Sequence, residues 1–462
     1  MGTFLGTIDG SIVNIALPVL EQEFGTQFAV VQWVVLSYML TVATLMLVVG
    51  RLADIFGKKG LYLTGFAIFT FGSGLCGLAN SAGLLIAFRV IQAVGAAMIT
   101  ALGTAILTEA FPPQERGKAL GISGTMVSIG LISGPTVGGL ILGAFSWHWI
   151  FFVNLPVGLI GILLVIRFVP KSAAEKRERF DIPGAVSLFV TLLAFLLALT
   201  LGQERGFTSP PVLGLLGLSL AALLVFYWVE THTDQPIIDL SLFRNRLFSV
   251  NLITGFITFI CISGTILLMP FFLQNVLHFT PRDSGFLLSV FPLSMGIIAP
   301  LAGSLSDRFG SRRLTAAGLA ALLLGYLAVS TLNESTGASG YVVRFLLVGL
   351  GMGFFQSPNN SAIMGAAPKG RLGVASGLLA LTRTVGQTTG IALIGSLWAG
   401  RVIAVMGGGE ATSAPAAIQA AALREIVLVI VVLVALALGL SLWALWKENM
   451  IVREQRQAQR EV

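Results

Sequence analysis

The sequence predicts an all-α membrane protein with fourteen transmembrane helices. Three observations carry that expectation. Of the 462 residues, 55% are hydrophobic and only 11% charged. The apolar residues gather into runs long enough to cross a bilayer. The basic residues collect in alternate connections between those runs. The charge deficit comes first: soluble domains carry about 25% charged residues, so this chain has too few to cover a water-facing surface of its size. A bilayer as solvent removes the difficulty, because apolar side chains can then face outward. The 54 glycines suit the same setting, since small residues let membrane helices approach closely.

A crossing helix needs about 20 mostly apolar residues for ~30 Å of hydrocarbon. The runs place spans at 1–20, 29–49, 61–79, 82–107, 119–145, 150–169, 182–201, 212–229, 248–273, 284–301, 314–332, 342–364, 373–398 and 426–446. Charged or Pro/Gly-rich breaks separate most of them. The separations near Asn80 and Trp147 rest on the fewest polar residues.

Orientation follows from the basic residues. With the N-terminus inside, the cytoplasmic connections hold Arg51, Lys58 and Lys59, then Arg116 and Lys118, then Arg167, Lys171, Lys176, Arg177 and Arg179. Further along come Arg244 and Arg246, then Arg308, Arg312 and Arg313, then Lys369 and Arg371. Lys447, Arg453, Arg456 and Arg460 lie on the tail. Outside connections hold only Arg205, Arg282, Arg401 and Arg424. This is the positive-inside asymmetry. It accounts for the net charge of +7 without nucleic acid, and it favours an even number of spans, which keeps the basic tail inside. The expected location is the cell (inner) membrane, with both termini cytoplasmic. The first apolar run carries Asp9 and leads into further spans, so no cleavable signal peptide is expected.

An internal repeat divides the chain. GRLADIFGKK (Gly50 to Lys59) recurs as GSLSDRFGSRR (Gly303 to Arg313), with Gly50, Asp54 and Gly57 matching Gly303, Asp307 and Gly310. Arg89 in RVIQAVGAAM matches Arg344 in RFLLVGLGMG, and Gly130 and Gly134 match Gly386 and Gly390, all at nearly one offset. The expected organisation is a six-helix bundle over 1–169, linkers with an inserted helix pair over 170–247, a second six-helix bundle over 248–446, and a basic tail over 447–462. Duplicated halves around a midplane site are a common way to build a transporter.

Four patterns carry chemistry or mechanics. In the first copy of the repeated loop, glycines allow a tight reversal, Asp54 can cap a helix or pair with a cation, and Lys58 and Lys59 face the cytoplasm. The fifth span holds GLISGPTVGG, with Gly130, Gly134, Pro135, Gly138 and Gly139. Proline removes one helical hydrogen bond and glycines four apart give a smooth packing face, so this helix is bendable and tightly packed. The second half has Ile391 where the first has its proline. Asp9 is a carboxylate inside a span, where charge is expensive, so it must face a cavity or a partner. Removal from water favours its protonated form, which suits a group that trades a proton. Arg89 in the fourth span and Arg383, about ten residues or roughly 15 Å into the thirteenth, are the other deep charges. Thr382, Thr384, Gln387, Thr388 and Thr389 make the surroundings of Arg383 polar. Arg383 reads either as a buried ion pair or carbonyl contact, or as a substrate-contacting cavity wall. Arg344, near the outer end of its span, is expected to snorkel.

Together these motifs resemble the major facilitator superfamily over nearly the whole chain. The repeated loop looks like the family's signature cytoplasmic loop, with Ile55 in place of a usual basic residue that Arg308 supplies in the second copy. GLISGPTVGG is similar to the antiporter motif of its exporters. IDGSIVNIALP (Ile8 to Pro18), QWVVLSYML and WHWIFFVNLPVG (Trp147 to Gly158) resemble signatures of its fourteen-helix drug:proton antiporters, with Ser11 for the usual threonine. The resemblance implies a major facilitator fold: two pseudo-symmetric six-helix bundles plus the inserted pair, rocking by alternating access. It implies proton coupling at Asp9 and Arg89, and substrate contacts from Asn14, Trp33, Tyr38, Gln92, Arg383 and Gln387. It implies a conformational latch from Gly50, Asp54, Gly57, Lys58, Asp307 and Arg308.

Function is therefore expected to be proton-driven export of small amphiphilic molecules, by a monomer in the lipid bilayer, with substrate and protons as its partners. A dedicated exporter of one host metabolite, antibiotic or siderophore is the alternative. A non-transporting receptor or scaffold is a third class, which predicts that Asp9→Asn leaves flux unchanged. Three arginines against one carboxylate within the spans disfavour dicationic cargo. Cys76 and Cys261 lie in apolar runs and make neither a disulfide framework nor a zinc site. His148, His232 and His278 lie near span ends and do not cluster. No phosphate loop, metal constellation or nucleophile–base pair is present, so neither catalysis nor a cofactor is expected; the proton gradient is the energy source.

Overall fold

The computed structural model describes residues 1–110, 116–169, 181–233, 240–366 and 372–458. Helices dominate, and no strand occurs among the described residues. Thirteen of the helices are long and apolar enough to cross a membrane. The fourteenth expected span is also a helix, Lys58–Cys76, which opens on two lysines.

In chain order these are α1 (Gly2–Phe24), α2 (Phe28–Phe56), α3 (Lys58–Cys76), α4 (Ala82–Ala110) and α5 (Arg116–Ala144). Next come α6 (Trp149–Phe168, broken at Val153), α7 (Ile182–Arg205) and α8 (Pro210–His232). Then follow α9 (Arg246–Phe271, extended by a wider turn over Phe272–Val276), α10 (Pro281–Leu288 and Val290–Phe309) and α11 (Ser311–Val329). Last are α12 (Ala338–Ala366), α13 (Leu372–Met406) and α14 (Ala416–Ala458). Several helices outrun the spans, because backbone hydrogen bonding continues where the apolar run stops. The basic tail from 447 is helical as far as Ala458, as the last part of α14. Within the expected linkers, 170–180 and 234–239 lie outside the described residues, as do Lys171, Lys176, Arg177, Arg179, Lys369, Arg371 and Arg460.

Local chemistry sets the helix ends. Asp181 caps α7, its Oδ1 accepting from Gly184 N at 2.9 Å. Thr280 caps α10, accepting from Asp283 N at 3.2 Å while its own hydroxyl donates to Asp283 Oδ2 at 2.7 Å, and Pro281 follows at the first helical position. The repeated loop is the clearest case. Gly57 (φ 83, ψ 140) and Gly310 (φ 88, ψ 136) adopt nearly the same conformation, open to glycine and strained for other residues. Each donates its N–H to the carbonyl four residues back, Ala53 at 3.0 Å and Ser306 at 2.9 Å. Two copies of one sequence thus make one turn twice.

The chain forms two compact units. The first comprises Met1–Ile237, Gly264–Ser289 and Thr388–Ala422; the second comprises Ile238–Ser263, Val290–Gln387 and Leu423–Val462. In the first unit, glycines let helices touch at backbone distance. A methyl group added to Gly138 would lie 2.8 Å from both Ile12 and Ile15, and Gly130 and Gly134 meet Thr7 and Ser11 in the same way. The stripe expected from GLISGPTVGG therefore packs on α1. Gly139 points elsewhere, its would-be Cβ lying 3.0 Å from Gly285 of α10. Gly72 and Gly95 bring α3 and α4 together, each against the other helix's backbone, at Gln92 and Phe69 respectively.

The second unit repeats that pairing. Gly318 meets the Phe355 backbone and Gly351 that of Leu322, joining α11 to α12. Gly386 approaches Phe256 of α9, a would-be Cβ lying 3.0 Å from its carbonyl oxygen. Arg344 does more than reach for water. It donates to Ala328 O at 3.1 Å, Gly340 O at 2.8 Å and Thr331 Oγ1 at 2.8 Å. Ala328 O, near the end of α11, thus accepts from the guanidinium as well as from Thr331 N at 3.1 Å, a contact that snorkelling alone would not make.

Candidate functional site

Asp9 sits in the second turn of α1, and the Gly130–Gly134–Gly138 face of α5 lies against that helix. Arg89 comes from α4, drawn in by the Gly72–Gln92 approach to α3. The two side chains meet within the first unit: Arg89 Nη1 donates to Asp9 Oδ2 at 2.7 Å. Both are enclosed, at 0% and 1% exposure. An isolated charge here would cost many kcal/mol, and pairing with full hydrogen bonding is what makes it tolerable.

The hydrogen bonding is nearly complete. Asp9 Oδ1 accepts from Gln92 Nε2 and from Asn154 Nδ2, both at 2.8 Å. Arg89 Nη1 also donates to Gln92 Oε1 at 2.8 Å, and Nε donates to Val34 O at 3.1 Å. The flat face of the guanidinium lies over the Tyr38 ring, 4.0 Å from its centroid, a favourable cation–π contact. Asn154 Nδ2 lies 3.1 Å from Ser73 Oγ, whose hydroxyl donates to Phe151 O at 2.9 Å. Cys76 contributes a weak contact, Sγ to Gln92 Oε1 at 3.6 Å. Five helices, α1, α2, α3, α4 and α6, thus hold one carboxylate.

Every bond to Asp9 comes from a donor, so the geometry suits the ionised form. A proton arriving at Asp9 would weaken the tie to Arg89 and leave a buried cation without its counter-charge. No group of three His, Cys, Asp or Glu that could hold a metal ion lies among the described residues.

The other expected site residues fall in several places. Tyr38 and Gln92, expected to contact substrate, are instead enclosed around the ion pair. Asn14 is half-buried; its Nδ2 donates to Gly10 O at 3.0 Å and its Oδ1 is enclosed without a partner. Trp33 is half-buried in α2. Arg383 and Gln387 belong to the second unit and are half-buried. Of the latch residues, Gly57 makes the turn described above, Lys58 is half-buried and Arg308 is exposed; the side chains of Asp54 and Asp307, and Gly50, lie outside the described residues. Lys59 reaches the end of α6, donating to Ile166 O at 2.9 Å. Pro135 lies inside α5, and its carbonyl faces Gly285.

Asn154 and Ser73 are functional-site residues that the sequence reading passed over. Their signal was present: each is a polar side chain in an apolar run, and Asn154 lies inside WHWIFFVNLPVG. Nothing in the linear sequence said that Asn154 reaches Asp9 or that Ser73 reaches Asn154.

A many-helix membrane bundle with a buried carboxylate–guanidinium pair defines a multi-pass transporter. Comparison with known proteins makes this specific: the family model of the Major Facilitator Superfamily matches residues 1–391, and the chain belongs to that superfamily. It is 38% identical over 403 residues to the riboflavin transporter RibZ of Clostridioides difficile, covering 86% of each chain. It is 34% identical to the multidrug resistance protein Stp of Mycobacterium tuberculosis, over 93% of this chain and 80% of that protein. It is 30% identical to the multidrug transporter protein MdtP of Bacillus subtilis, over 85% and 73%. Among solved structures, a bacterial homolog of the human lysosomal transporter Spinster has a TM-score of 0.66 at 19% identity, covering 96% of this chain and 94% of that one. A POT family transporter in complex with 5-aminolevulinic acid reaches 0.70 at 14% identity, covering 96% and 95%. At those identities the likeness shows the fold alone. The protein is a membrane transporter of small molecules and not an enzyme, and transporters of this superfamily generally need no cofactor.

Proposed function

We propose that the protein exports small amphiphilic molecules across the cytoplasmic membrane in exchange for protons, with both termini on the cytoplasmic side. The observation that carries the reading is the 2.7 Å bond between Asp9 and Arg89 in a site closed to water. Protonation of Asp9 weakens that bond and frees Arg89, so two protonation states favour two arrangements of α1 and α4. Alternating access then couples the proton to cargo. The glycine face of α5 gives α1 a smooth surface on which to shift, and the twin turns at Gly57 and Gly310 serve as the latch. The multidrug names of two relatives support broad cargo.

The test is dye efflux from membrane vesicles under an imposed pH gradient, for wild type, Asp9→Asn and Asp9→Glu. Efflux that follows the gradient in wild type and stops in Asp9→Asn supports the reading. Unchanged gradient-driven efflux in Asp9→Asn removes Asp9 from the coupling.

One observation favours a second, narrower reading, that of a dedicated carrier of a single metabolite: the 38% identity to a riboflavin transporter. Saturable flavin transport that structurally unrelated dyes fail to compete with would select it.

A further inference from the structure

Three arginines lie inside spans, and the structure separates them. Arg89 has Asp9, Gln92, Val34 O and the Tyr38 ring. Arg344 has two carbonyls and a hydroxyl. Arg383 has no carboxylate, carbonyl or hydroxyl in bonding reach among the described residues. An ion pair or carbonyl contact is therefore not what holds it.

No span in the second half of the sequence carries a counter-charge. The spans at 248–273, 284–301, 314–332, 342–364, 373–398 and 426–446 contain neither Asp nor Glu. Within the second unit, α9 runs beside this part of α13: Gly386 approaches Phe256, and Ser263 donates to Gln387 O at 2.9 Å. The neighbouring hydroxyls turn inward on their own helices, Thr384 to Ala380 O at 3.0 Å and Thr258 to Thr254 O at 2.7 Å. Arg383 is half-buried rather than exposed, so it is not spread over the lipid face. It lies roughly 15 Å along α13, at about 1.5 Å per residue, near the middle of ~30 Å of hydrocarbon. Snorkelling to headgroups serves arginines near helix ends, and Arg383 lies well inside α13 (Leu372–Met406).

A half-buried guanidinium at that depth, with no partner among the described residues, is open to a group that comes and goes. We propose that Arg383 is a substrate-specificity residue that receives a carboxylate or phosphate group on the transported molecule, with Gln387, on the same face one turn further on, as its neighbour. A planar fork of donors takes such a group through two parallel hydrogen bonds, which a lysine does not reproduce. The cargo class that follows is an amphiphile with one anionic group on an apolar or aromatic body. This assignment rests on the transport reading above but not on its proton coupling.

The full-length protein, reconstituted in lipid vesicles, is tested with one rhodamine dye in two forms, its free carboxylate and its methyl ester. Equilibrium binding is read by fluorescence anisotropy and transport under a pH gradient by dye loss. In wild type the carboxylate form binds more tightly than the ester. Arg383→Gln weakens carboxylate binding about tenfold, the size expected for one charge-assisted contact, and leaves the ester unchanged, which also shows that the variant is folded. Arg383→Lys lies between. Equal loss for both dyes, or no loss for either, overturns the assignment. A headgroup partner is separated by lipid composition: a carboxylate preference that disappears when phosphatidylglycerol is added to phosphatidylcholine vesicles overturns the cargo assignment in favour of lipid, and a preference unaffected by that addition supports it. Carboxylate-selective binding in a protein that ignores the pH gradient supports Arg383 and removes only the proton coupling.

Discussion

Arg89 and Asp9 are separated by eighty residues of sequence and joined by a 2.7 Å bond. Neither charge is stable alone in this interior. Gln92 and Asn154 complete the carboxylate, and Tyr38 covers the guanidinium. Arg89, Gln92 and Asn154 all donate to that one carboxylate.

Asp9→Asn keeps the shape and removes the charge. Breaking one side of a buried pair costs roughly 3–5 kcal/mol, so thermal stability in detergent should fall clearly, along with gradient-driven efflux. The double variant Asp9→Asn with Arg89→Gln removes both charges. It should recover much of the stability and none of the efflux, as read by thermal unfolding and vesicle transport on the same preparations. Equal instability in the single and double variants would argue against the pairing.

Asn154→Leu removes one donor from the Asp9 carboxylate and the link to Ser73. A buried acceptor left short of a donor costs about 1–3 kcal/mol. Reduced efflux with intact membrane insertion is expected. Ser73→Ala should cost less, because Ser73 touches Asn154 and not Asp9 itself. Matched efflux and melting curves decide the order.

The α1–α5 contact depends on missing side chains. At Gly134 even a methyl group would collide with the Ser11 hydroxyl, and Ser11 also donates to Gly130 O at 3.2 Å. Gly134→Val should force the helices apart and destabilise the protein by several kcal/mol. Gly10, on the same helix as Ser11, has nothing within 4 Å of a would-be Cβ. Gly10→Ala should be neutral or stabilise by up to about 1 kcal/mol through helix propensity. Thermal unfolding of the two variants side by side makes the test.

Gly57 and Gly310 occupy positive φ, and Gly310 has open space around it. Substitution by valine there meets backbone strain of order 1–3 kcal/mol, while Gly60→Ala, inside a helix and exposed, should be harmless. If the turns act as a latch, Gly57→Val should slow transport more than it lowers the melting temperature, relative to Gly60→Ala. Efflux rates normalised to folded protein provide the measurement.

Much of the fold was legible because the bilayer makes it so. Spans must be apolar and about 20 residues long, and basic loops must alternate, so counting works. Helix ends were less legible: α13 and α14 run well past their apolar segments because a helix needs no hydrocarbon to continue. The repeat was legible in Gly57 and Gly310, where one backbone conformation demands one residue type. Side-chain roles were harder to read. The family resemblance marks Tyr38 and Gln92 as cavity residues, and only packing shows them enclosed around Arg89. Arg344 near a helix end looks like a snorkelling residue, and only packing shows it donating to Ala328 O of α11 and Gly340 O of its own helix.

By itself the sequence determined the solvent the protein lives in, the number of its spans, the repetition of its parts and the few charges that must be accounted for. These follow from composition and period, which are local. Tertiary structure alone decided which charges are satisfied: Asp9 finds Arg89, Arg344 finds carbonyls, and Arg383 finds no partner among the described residues. Partnership between distant residues depends on how closely helices approach, and that distance is set by glycines whose contacts no linear pattern reveals.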